Sequence, residues 1–160
     1  MAIIIEQQSK CPVCNTSLDK DKEYVLVPPL ISNTKDDLFI FSDAGVHIEC
    51  LNKNKLKNKL LQHINLYDEH MPPSKLRCIV DGKTVDNPKD LLFFGLLTSD
   101  EKEELYYFNY LSLNLKDINK WKDYNSFLSI SEQFISEKKW EGLNDFNKIE
   151  YILGEMTGCC

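Results

Sequence analysis

"DAGVHIEC" at residues 43–50 sets His47 and Cys50 three positions apart, at the threshold of a Lys-rich run that reads as helix. Upstream, "CPVC" sets Cys11 and Cys14 at the same spacing. Structural zinc takes four nitrogen and sulfur ligands in a tetrahedron. A C-x-x-C turn presents two thiolates on one tight knuckle, and an H-x-x-C at a helix start presents two more donors. Cys11, Cys14, His47 and Cys50 are therefore expected to hold one Zn²⁺. With all four positions filled by protein, such a site leaves no place for a reactive water and is structural rather than hydrolytic.

Between the two pairs, "YVLV" (24–27) and "LFIF" (38–41) read as short strands, separated by the turn-rich "PPLISNTKDD" (28–37). The expected order is knuckle, hairpin, helix. That order, with its last two ligands at a helix start, resembles the treble-clef zinc fingers, among them modules of the LIM and poly-ADP-ribose-polymerase type. The resemblance covers about residues 9–66 and rests on the four ligands and their spacing. Val46 stands where those families often carry a Trp before the His. The resemblance implies the fold and the metal, and does not extend to DNA-break recognition.

Sliding the chain against itself until Cys11 falls on Cys78 aligns 9–64 with 76–131 without a gap, and 14 of the 56 positions are identical. At the ligand positions the second copy has Cys78, Asp81, Asn114 and Asp117. One thiolate, two carboxylates and an amide make a poor zinc set, so this copy is expected to be metal-free and held by packing. "LLFFGLL" (91–97) and "LYYFNYLSL" (105–113) supply apolar and aromatic side chains for it. The expected fold class is α+β, in tandem treble-clef-like units with short antiparallel hairpins. Residues 1–75 form the zinc-binding unit, and 76–160 the degenerate copy plus two C-terminal helices. Phe127, Ile130, Phe134 and Ile135 mark the apolar face of one helix; Leu143, Phe146, Ile149, Ile152 and Leu153 mark that of the other. Trp121 and Trp140 are expected near the seam with the second copy.

Nineteen basic residues against 25 acidic ones give a net charge of −6, the wrong overall sign for a protein that coats nucleic acid or anionic lipid. Most of the acidity, 15 of those 25 residues, falls after residue 75. No apolar run reaches the roughly 18 residues that span a bilayer, and "MAIIIEQQ" lacks the basic start of a secretory signal. Three of the six cysteines stand at metal-ligand spacing, which, without such a signal, points to a reducing, cytoplasmic setting.

Catalytic constellations do not stand out. There is no Gly-rich phosphate loop, no G-x-S-x-G elbow and no H-E-x-x-H. His47 is committed to the metal set, and His63 and His70 are expected to be solvated or capping residues at the end of the Lys-rich helix. A non-enzymatic role follows as the expectation: a zinc-stabilised module that binds another protein, of the immunity, inhibitor or adaptor kind. The acidic "TSDEKEEL" (98–105), with Asp100, Glu101, Glu103 and Glu104, is the candidate surface for a basic partner. The alternative is nucleic-acid binding through Lys53, Lys55, Lys57 and Lys59. Cys159 and Cys160 read as a flexible, exposed end.

Overall fold

The computed structural model describes residues 3–5, 8–19, 21–144 and 146–158. Cys159 and Cys160 lie outside the described residues. The molecule is a small α+β body with two short antiparallel hairpins. Strand β1 (Tyr24–Leu26) pairs with β2 (Gly45–His47), and β3 (Leu91–Phe93) pairs with β4 (Ser112–Asn114). Helices α1 (Ile48–Lys53) and α2 (Lys57–His70) follow the first hairpin; α3 (Tyr124–Ser136) and α4 (Lys148–Thr157) follow the second. Among the described residues no helix is long and apolar enough to cross a membrane.

The offset that carries Cys11 onto Cys78 also relates the two hairpins. Tyr24 faces His47 as Leu91 faces Asn114. The amide of Cys11 bonds the carbonyl of Thr16, as that of Cys78 bonds Lys83. Asn15 and Gly82 both take positive φ at the end of that turn, and Asp43 and Tyr110 both take it before the second strand. Ser42 Oγ clamps the N–H and C=O of Ile31, and Asn109 does the same to Thr98 with its amide. Helices α2 and α3, starting at Lys57 and Tyr124, keep the same offset. The counterpart of α1 is a 3₁₀ segment, Leu115–Lys120.

Two apolar cores sit side by side. One gathers Leu18, Val27, Leu38, Phe41, Val46 and Leu60 and borrows Leu96 and Tyr110 from the second half of the chain. The other lies wholly within residues 78–156, around Phe94, Phe108, Trp121 and Phe127. Phe127 stands 4.7 Å from Phe94 and 5.1 Å from Phe108, ring centre to ring centre, in tilted and edge-on geometry that aromatic pairs favour. Trp121 stands where the second copy meets α3, edge-on to Phe94 and Phe108 and 5.8 Å from Phe127. Trp140 lies in the same core, its indole N–H donating to Asn147, while its neighbours Lys139 and Glu141 bond the side chain of Asn33 in the first half.

Between the halves, polar contacts add to the apolar ones of Leu96 and Tyr110. The Asp36 carboxylate accepts the amide of Ser99 at 2.7 Å and its hydroxyl at 2.6 Å, and also the amide of Leu38 at 2.9 Å. Ser99 is 1% exposed, so its donors have no recourse to water. Asp36→Ala is expected to cost about 2–6 kcal/mol, because two buried donors lose their acceptor at about 1–3 kcal/mol each. Urea unfolding of the variant checks this. A loss under about 0.5 kcal/mol, the level of a surface change, would show that Asp36 does not hold the halves together.

Several local expectations are corrected. "LFIF" is not a strand: Phe39–Phe41 is a 3₁₀ turn, started by Asp36, whose carbonyl accepts the Phe39 amide while its carboxylate takes Leu38. The partner of β1 is Gly45–His47 instead. The Lys-rich run is two helices, split where Asn54 Oδ1 caps the amide of Leu56. Helix α3 lies partly inside the aligned copy rather than after it. Leu143 and Phe146 precede α4, which begins after the Asn147 cap. His63 is buried, not solvated: it lies against Tyr106 and Tyr110, and burial pushes its pKa down. His70 stacks on the Tyr110 ring at 5.3 Å.

Candidate metal centre

Cys11, Cys14, His47 and Cys50 come together, each offering one donor atom, all within 4.8 Å of one another. Three structural devices place them. The turn closed by Cys11 N–H on Thr16 and by Asn15 N–H on Cys11 at 2.8 Å swings Cys14 back over Cys11. Asn15 completes it at φ 57°, a left-handed conformation that Asn tolerates better than most residues. His47 is the last residue of β2 and the N-cap of α1, and Cys50 sits in the first turn of that helix. β1 holds β2 in register, so the knuckle and the helix start meet across the hairpin.

The dimensions suit a tetrahedral metal. Bond lengths of about 2.3 Å to sulfur and 2.0 Å to nitrogen give donor–donor edges of about 3.5–3.8 Å. Cys14 Sγ lies 3.3 Å from His47 Nδ1. The widest separation in the set exceeds an ideal edge by about 1 Å, a contraction within reach of side-chain rotation. Nδ1 is the ring nitrogen that faces Cys14 and is placed to take a metal. His47 Nε2 is buried without a hydrogen-bond partner, a departure from the usual ligand His, which donates its second N–H. Cys11 is fully buried, Cys50 partly, and Cys14 is exposed, so the centre lies just under the surface. It borders a cavity of about 440 Å³ walled in part by Thr16, Glu23 and Glu49.

The electrostatics point the same way. The Thr16 hydroxyl and amide, and then His47, lower the Cys14 thiol to about 6. Burial, together with Cys14 and Cys11 beside it, raises the Cys50 thiol to about 11. Neighbouring thiols cannot all ionise without a compensating charge, and a divalent cation supplies it. Three thiolates and one neutral imidazole form a set that fits zinc.

The corresponding positions of the second half are arranged differently. Cys78 is buried and accepts the amide of Asn114 at 3.4 Å. Asn114 turns its side chain to cap Lys116, and Asp81 accepts the amide of Lys83. Asp117 pairs with Lys120 at 2.6 Å, and that bond, with the nearby charge of Asp81, raises the pKa of the ammonium. Among the described residues, the first-half set is the only group of three or more His, Cys, Asp or Glu placed to hold a metal.

The surface candidates fall as follows. Glu103 is tied to Lys139 at 2.8 Å, whereas Asp100, Glu101 and Glu104 are exposed. Sequence reasoning missed their neighbour Tyr107, 79% exposed, although an aromatic in an acidic stretch was a visible signal. Lys53 ends α1, Lys55 sits in the turn, and Lys57 and Lys59 open α2; Lys57 bonds Asn52 and Lys59 lines the cleft between the halves. No family model, curated protein or solved structure matches the chain.

Proposed function

We propose that the chain is a zinc-stabilised, non-catalytic module that binds another protein. The four converging donors of Cys11, Cys14, His47 and Cys50 carry this reading, because they complete a tetrahedron and leave no coordination site for substrate. Knuckle, hairpin and helix in that order, with His47 and Cys50 flanking the helix start, support a treble-clef-like unit. The constant offset between the two hairpins supports a second, metal-free version of it, in which Lys120 supplies positive charge close to Asp117.

The partner surface follows from what the fold leaves exposed. Tyr107 stands out from the acidic loop beside Glu104, with Asp100 and Glu101 close in sequence, which suits a partner with a basic face and an apolar slot. Immunity proteins and inhibitors of basic enzymes have this chemistry. A tagged chain is expected to co-purify with one partner at near-stoichiometric yield. Tyr107→Ala combined with Glu101→Lys and Glu104→Lys is expected to lose it while keeping zinc. Retention of the partner by that variant would refute the acidic loop as the interface. Binding to nucleic acid that falls steeply with salt, and that is lost on replacing Lys53, Lys55, Lys57 and Lys59 by Ala, would favour the alternative.

A further inference from the structure

A cavity of about 280 Å³ lies away from the metal centre, between the Leu30–Ile31 segment, Leu96 and the start of α4. Most of its wall is apolar, and Lys148 is the only cation among the described residues that line it. Lys148 Nζ lies 5.7 Å from the centre of the Phe93 ring. It also packs so closely on Gly95 that a Cβ at that position would stand 2.8 Å from Nζ. Among the described residues no carboxylate or carbonyl accepts from this ammonium. In the same lining, Ser32 Oγ is shielded from solvent and has no hydrogen-bond partner.

A half-buried ammonium with no acceptor among the described residues is costly, and this one has a second penalty. Lys148 is the first residue of α4, where the positive end of the helix opposes a cation. Both penalties are relieved by an anion from outside the chain. The apolar lining decides what that anion is attached to: Leu30, Phe39 and Leu96 offer hydrocarbon contact and no further donors. Phe146, 54% exposed at the same wall, would be covered by an occupant. Burial pushes the pKa of Lys148 down, consistent with an amine that lacks a counter-charge.

We propose that this cavity binds a small amphipathic carboxylate, its anionic end on Lys148 Nζ and Ser32 Oγ and its apolar body against Leu30, Phe39 and Phe146. Asp43 also lines the cavity, so the carboxylate must lie at the Lys148 end. The volume is at the small end of ligand pockets, which suits a compound of about ten non-hydrogen atoms. The site shares no residue with the metal set and does not depend on the reading of that set.

Titration of the full chain with 3-phenylpropionate, followed by calorimetry and amide chemical shifts, tests the proposal. The uncharged isostere 3-phenylpropanamide serves as the control. The carboxylate is expected to bind with a Kd below about 1 mM, and the amide about tenfold or more weakly, reflecting one charge-assisted hydrogen bond. Lys148→Met keeps the length and apolar bulk of the side chain, and should abolish the preference for the carboxylate. Equal affinity of the wild-type chain for acid and amide would overturn the proposal without recourse to any variant. So would shifts confined to residues outside the cavity, undiminished carboxylate binding by a folded Lys148→Met chain, or no binding of either compound up to about 10 mM.

Discussion

Removal of zinc is expected to unfold the first half of the chain and leave the second half folded. Structural zinc contributes roughly 10–16 kcal/mol of apparent binding free energy in small finger peptides, more than a core of this size can forgo. The first core consists mainly of aliphatic side chains between short elements, and the hairpin that carries it has only three residues per strand. Cys50→Ser, or chelation of the wild-type chain, should therefore release the amides of residues 24–26 and 45–47 to hydrogen exchange. Those of 91–93 and 112–114 should stay protected, since their core gathers residues 78–156 only. Leu96 and Tyr110 reach into the first core, so the second half should lose some stability without melting. Simultaneous loss of protection in both hairpins would mean that the metal holds the whole molecule.

The converse substitution is Phe127→Ala. Phe127 is fully buried and touches three other rings, those of Phe94, Phe108 and Trp121. Deleting a buried Phe side chain costs about 3–5 kcal/mol through lost transfer energy and the cavity left behind. With no metal to compensate, the second half should unfold at lower denaturant, and added zinc should not restore it. Denaturant titrations with and without chelator check this. A cost under about 1 kcal/mol would show that the aromatic cluster does not stand in for a metal.

Ligand spacing is the most readable feature of this sequence, because a C-x-x-C and an H-x-x-C carry their geometry within a few residues. The apolar run at 38–41 misleads because four consecutive apolar residues fit a buried strand and a tight helical turn equally well. What decides between them is Asp36, whose carboxylate caps that turn and at the same time binds Ser99, far along the chain in the other half. The break in the Lys-rich helix does have a local signal, since Asn54 is a residue that caps through its own side chain. Burial of His63 has none. It depends on Tyr110, a residue of the other half that joins the first core. Lys148 is equally illegible, because a single lysine at a helix start reads as solvated until the fold packs Phe93 and Gly95 around it.

The metal content of the freshly purified chain, measured by elemental analysis on wild type and on Cys11→Ser, tests the central claim most directly. About one zinc per wild-type chain, lost in the variant, is the expected result. A metal-free wild-type chain that remains folded would contradict it, and so would retention of the zinc by Cys11→Ser. Two metals per chain would contradict the metal-free reading of Cys78, Asp81, Asn114 and Asp117.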